Sequence, residues 1–214
     1  MKKILLMMSL MLGVLVFTSC SNDEVVNEEV VSANRFITSQ MDESVKKELM
    51  NYADSIITEE MSLLTRAVAG ETVINEEECR QKLLPYINEG KRIQQRILND
   101  MIANPQDYPI GSGQELMAMT DAQLAELAFT IDEYDYNKNV IVPYGATPPW
   151  INCLKAAFGL NEIYAVVDII TGTKSLMTAT TAFRIAKCFL KRSLGWASIL
   201  YATYEYGECM KSSK

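Results

Sequence analysis

The apolar positions of residues 39–104 recur at helical spacing. Met41, Val45, Leu49, Tyr52, Ile56 and Leu63 follow one another at steps of three, four and seven. That spacing lays one apolar stripe along a helix and predicts the helix from about Ser39 to Ala67. Lys46, Lys47, Glu59 and Glu60 lie off the stripe, and Gly70 ends the segment. A second stripe, formed by Cys79, Leu83, Ile87, Gly90, Ile97 and Met101, predicts a long helix after it. Asn75 is its N-cap, and Glu76, Glu77 and Glu78 put negative charge into a first turn, where the helix dipole favours it. Adjacent carboxylates fan around a helix instead of converging, so the dipole accounts for the triplet and no metal is assigned to it. Pro85 has no amide hydrogen and predicts a kink, or a fresh start for the second half of the helix. Asn104-Pro105 closes the segment.

Residues 105–113 read as a loop. Ser112 with Glu115 has capping-box spacing and opens a short turn. Thr120 with Gln123 opens a longer helix that turns Leu124, Leu127, Ala128 and Ile131 inward. Asp135-Tyr136-Asn137-Lys138-Asn139 sets oxygen ligands at alternate positions, as the start of a calcium-binding EF-hand loop does. The pattern then fails, with Val140 where that loop needs glycine and Ala146 where it needs a bidentate glutamate. Asp and Asn favour turns without any ion, so no metal site is assigned here either. Val140 to Tyr144 suits a short extended piece, and Gly145, Pro148 and Pro149 mark a linker.

From Trp150 the pattern changes to three apolar stretches, Trp150 to Ile170, Lys174 to Arg192 and Leu194 to Met210. Small residues such as Ala156, Ala182, Ala186, Gly195 and Ala202 allow close helix contacts, which suits either a buried core or a membrane-active array. Glu162 and Asp168 interrupt the first stretch and Arg184 and Lys187 the second, leaving apolar runs too short to span a bilayer. The expected role is core. The whole pattern predicts an all-α domain, an irregular bundle of roughly five to seven helices ending in an antiparallel three-helix apolar segment.

Charge divides the chain along the same line. Residues 20–149 carry 10 basic and 23 acidic residues, whereas 150–214 carry 8 and 4, an acidic part of net −13 before a cationic part of net +4. The acidic balance excludes nucleic acid as a partner of the whole molecule. There is no histidine, which removes imidazole-based hydrolase triads and histidine zinc sites. No motif marks a pair of carboxylates for catalysis, so no catalytic residue and no cofactor is assigned.

The first twenty residues combine Lys2 and Lys3, an apolar run from Ile4 to Phe17, and Ser19 before Cys20. The run is short of the roughly 20 residues of a spanning helix. Phe17-Thr18-Ser19-Cys20 resembles the cleavage site of bacterial lipoprotein signal peptides, with Phe17 where that pattern usually has leucine. The resemblance implies removal of residues 1–19 and lipidation of Cys20, which would anchor the protein to a membrane. Ser21, Asn22, Asp23 and Glu24 resemble the short acidic signal that sends some lipoproteins to the outer surface, and equally suit a solvated tether. The expected layout is a signal peptide at 1–19, a flexible acidic tether at 20–38 and one helical domain at 39–214. The expected location is the cell envelope, at the outer membrane.

With Cys20 on lipid, Cys79, Cys153, Cys188 and Cys209 remain, an even number in an exported chain, which predicts two disulfides. If the three tail stretches run up, down and up, Cys153 and Cys188 share one end, while Cys209 lies roughly 24 Å away along its helix. The expected pairs are therefore Cys153 with Cys188 and Cys79 with Cys209. Two functions fit these features. One is a non-catalytic module that binds a protein, peptide or glycan at the bacterial surface. The other is a membrane-active effector whose acidic front masks its cationic apolar tail.

Overall fold

In the structure, a computed structural model, the described residues are 35–65, 75–138, 147–158, 177–191 and 195–213. The leader, Cys20, the tether to residue 34, Gly70, residues 139–146, Glu162, Asp168 and Arg192 lie outside them, as do the side chains of residues 59–65. The fold is all-α. Its seven described helices are α1 (Glu43–Thr65), α2 (Glu76–Ala103), α3 (Ser112–Met117), α4 (Asp121–Asn137), α5 (Pro149–Phe158), α6 (Ala179–Leu190) and α7 (Trp196–Ser212). A 3-10 turn at Pro105–Asp107 joins α2 to α3.

Local chemistry sets most of the helix starts. Asn75 caps α2, its side chain accepting from the amides of Glu77 and Glu78 at 3.0 and 3.3 Å. The Thr120 and Gln123 capping box is complete, with both reciprocal bonds present. Ser112 departs from its expected role. The short helix α3 starts behind Gly111, which takes φ 86° without a side-chain cap, and Ser112 Oγ is buried with no hydrogen-bond partner. Pro85 neither breaks nor restarts α2, which runs through it as one helix. Pro85 is exposed, so the carbonyl it deprives of a partner sits on the wet side.

α4 is the central element. Fourteen of its 17 residues are buried, and α2, α6, α5 and α7 pack around it. α2 comes close to it at Gly90, against the backbone of Leu124. In α1 the buried line is Leu49, Ala53 and Ile57, one residue round from the predicted Tyr52 and Ile56, which are half-buried.

Residues 35–38, which the sequence assigns to the tether, are bonded to the helical body. Ile37 is fully buried. Its amide donates to the Met177 carbonyl at 2.7 Å, and the Ala179 amide donates to the Arg35 carbonyl at 2.8 Å. The Ser39 amide is bonded to Asp135, the Ser39 hydroxyl to Asp132 at 2.7 Å, and the Gln40 amide to Glu89 at 2.9 Å. These bonds hold residues 35–40 extended across α4 and α2. That is why α1 starts at Glu43, behind Asp42, and not at Ser39.

The tail supplies core, with Trp150, Ile151, Phe158, Phe183, Phe189, Leu200 and Tyr206 all buried. Its pairing differs from the expected one. The α6 helix packs chiefly on α4, α2 and α3, whereas α7 packs chiefly on α5 and α1. Phe183 stacks edge-on with Tyr108 at 5.5 Å, and Gln123 donates to the Phe189 carbonyl at 2.9 Å, fixing α6 on that side. Cys188 is thereby separated from Cys153, and the start of α5 lies against the end of α7. The disulfide is Cys153–Cys209, with a Cα–Cα distance of 5.5 Å. The expected pairs Cys153–Cys188 and Cys79–Cys209 are both corrected by it.

Candidate functional site

α1, α4, α5 and α7 surround a cavity of about 610 Å³, well within the size range of small-molecule sites. α1 contributes Glu43, Lys46, Lys47, Met50, Asn51 and Asp54. Steps of three and four put these on one face, beside the Leu49, Ala53 and Ile57 line that enters the core. α7 contributes Thr203, Tyr204, Gly207, Met210 and Lys211 by the same periodicity. Tyr136 and Asn137 come from the end of α4, and Pro149 and Trp150 from the start of α5.

The floor is a buried ionic cluster. Glu133 is 1 % exposed; one carboxylate oxygen lies 2.5 Å from Lys46 Nζ, and the other accepts from the Tyr206 hydroxyl and from Asn137 at 3.1 Å. Lys46 also lies 3.8 Å from Asp132 and 4.2 Å from the centre of the Tyr136 ring. Burial raises the pKa of Glu133, opposed by Lys46 and the Tyr206 hydroxyl. Burial likewise raises that of Asp132, against the Ser39 hydrogen bond and Lys46. The Tyr206 hydroxyl is pushed well above its usual range by burial and then by Glu133. Since each Glu133 oxygen already has internal partners, its carboxylate fixes the positions of Lys46, Tyr206 and Asn137.

The Cys153–Cys209 bridge joins two of the helices that carry the lining. Trp150 stands one turn before Cys153, and Glu208 and Met210 flank Cys209, so the bridge ties the α5 part of the lining to the α7 part. Trp150 packs edge-on against Tyr134 at 6.1 Å. At the rim Lys211 pairs with Glu208 at 2.6 Å.

Of the other residues singled out from the sequence, Cys79, Cys188 and Lys187 lie elsewhere, while Tyr136 and Asn137 of the calcium-like motif line the cavity. The buried Cys79 thiol sits 3.9 Å from the Tyr52 hydroxyl, and burial raises its pKa. The Cys188 thiol donates to the Arg184 carbonyl at 3.4 Å. Lys187 lies 4.0 Å from Glu115. Asp135 and Asn137 occupy the last turn of α4, where Asp135 accepts from the Ser39 amide and Lys138, and Asn137 donates to the Glu133 carbonyl at 2.8 Å. A helical turn replaces the beginning of a calcium loop. Among the described residues no group of three or more metal-ligating side chains occurs.

Sequence reasoning left Glu133 and Gly207 unmarked and read Lys46 as a residue off the apolar stripe. Two signals bear on them: a carboxylate between Ile131 and Tyr134 in an apolar run, and a glycine inside a helical run. No known protein family, curated protein or solved structure matches this chain.

Proposed function

We propose that this protein is a lipid-anchored component of the bacterial envelope whose helical body binds a ligand without transforming it. The cavity between α1, α4, α5 and α7 carries the reading. It is large enough for a small molecule, its floor ties Lys46 to Glu133, and its lining sets Met50, Trp150, Tyr204 and Met210 among polar and charged side chains. The leader supports the envelope location, through Lys2, Lys3, the short apolar run and Cys20. The Cys153–Cys209 bridge supports it independently, since disulfides persist in oxidising compartments. The outer membrane is the proposed destination. Among the described residues no helix is long and apolar enough to cross a membrane, and the proposed attachment is through lipid on Cys20.

Metabolic labelling with a fatty acid tests the anchor. The wild-type chain takes up label and fractionates with membranes, whereas Cys20→Ser does neither. A wild-type chain that stays unlabelled and soluble overturns the anchor.

A further inference from the structure

The α7 helix carries a glycine that its packing does not require. Gly207 is the twelfth of 17 residues in α7, where glycine destabilises a helix relative to alanine. A Cβ built at Gly207 meets nothing within 4 Å. The neighbours on its helix face, Thr203, Tyr204, Met210 and Lys211, all line the cavity with it. The missing side chain therefore leaves a notch in the cavity wall where a ligand can reach the helix backbone itself.

Charge narrows the class of ligand. Lys46 is spent on Glu133 and Lys211 on Glu208, so neither cation is left to dominate the site. Along the facing side of α1, Glu43, Lys47, Asn51 and Asp54 alternate acceptors with donors over roughly 16 Å of helix, at about 1.5 Å per residue. An anionic ligand meets two carboxylates and one lysine there, and a cationic one gains a single uncompensated carboxylate. A neutral molecule with many hydroxyls satisfies both kinds of group at once, and Met50, Tyr204 and Met210 offer apolar contact to C–H faces.

We propose that the cavity takes an uncharged oligosaccharide, with one pyranose ring seated on the bare backbone of α7 at Gly207. This rests on the reading of the cavity as a binding site, and the experiment separates the two. The fluorescent apolar probe N-phenyl-1-naphthylamine reports occupancy of the cavity in the full chain. The competitors are maltotriose, cellotriose, tri-N-acetylchitotriose, a trigalacturonate and decanoate.

The expected result is displacement of the probe by at least one of the three neutral sugars at millimolar concentration, with little effect of the trigalacturonate. Gly207→Leu weakens that sugar tenfold or more. Gly207→Ala, which adds only a methyl, weakens it less and raises Tm by about 2 to 4 °C, since alanine is the better helix former. Should Gly207→Leu fail to fold, the opposed shifts in Tm and affinity of Gly207→Ala decide the matter. Displacement by decanoate alone, or by the trigalacturonate more strongly than by any neutral sugar, overturns the oligosaccharide and leaves the binding cavity standing. A probe that does not bind overturns both, and a neutral sugar that displaces it equally well from all Gly207 variants overturns the seat at Gly207.

Discussion

Gly90 of α2 lies directly against the carbonyl of Leu124 in α4, where a Cβ would stand 2.2 Å from that oxygen. The obstacle is backbone and no rotamer change relieves it. Gly90→Ala therefore forces α2 away from the central helix, at a cost of about 3 kcal/mol, the upper part of the range for overpacked cores. Thermal denaturation should show Tm lower by roughly 6 to 12 °C. Unchanged Tm would mean that the two helices do not meet there.

The disulfide correction has an equally direct test. Non-reducing peptide mapping should join Cys153 to Cys209 and leave Cys79 and Cys188 in unlinked peptides. Closing a loop over 56 positions is worth about 4 kcal/mol in the chain-entropy account, less any native strain. Cys153→Ser should lose most of that in chemical denaturation under oxidising conditions, and Cys188→Ser almost none. A Cys153→Ser variant as stable as the wild type would remove the bridge from the account of the cavity wall.

How far the fold was legible follows from which signals are local. Caps are local, and Asn75 and Thr120 do what their neighbours imply. One-sided stripes are nearly local, and α1 and α2 form over the segments the periodicity marks, α1 with a later start and its buried line one residue round. α4 is different because it is buried almost all round. Its polar residues Asp132 and Glu133 look in sequence like a solvated face, and partners distant along the chain, Lys46, Ser39 and Tyr206, show why they are tolerated inside. The disulfide pairing failed for the same reason. It assumed that consecutive apolar helices are neighbours, while the apolar face of α6, with Phe183 and Phe189, is buried on the other side of the core. The cavity has no signature along the chain, since it joins one face of α1 to one face of α7.

The Lys46–Glu133 pair should behave as a buried ion pair. Lys46→Met alone strands the Glu133 carboxylate and should cost about 3 to 5 kcal/mol. Adding Glu133→Gln should recover most of the loss, because the pair as a whole contributes little once its desolvation is counted. The pH dependence has a definite sign. Burial raises the Glu133 pKa in the folded state, so the folded chain binds this proton more tightly than the unfolded one. The stabilisation it brings is fully present below the unfolded glutamate value of about 4.3 and is lost as pH rises through the raised folded value. Relative to Glu133→Gln, the wild type should therefore gain stability as pH falls from neutral toward that value. A difference that is flat, or that grows with rising pH, would contradict the assignment.

The extended segment at residues 35–40 yields the last prediction. Ile37 is fully buried, and Ser39 and Gln40 meet Asp135, Asp132 and Glu89, so this segment clips α4 and α2 together from outside. Ile37→Ala should cost about 2 to 5 kcal/mol, the range for truncating a buried aliphatic side chain. A chain that starts at Glu43 keeps all of α1 but loses Ile37 and every one of these bonds. It also leaves Asp132 and Glu89 buried with fewer donors, and an unpaired buried acceptor costs more than the bond itself contributed. It should therefore melt lower than full-length Ile37→Ala, while a chain that starts at Arg35 melts above both. Equal melting of the chains starting at Arg35 and Glu43 would return residues 35–38 to the tether and place the boundary of the body at α1.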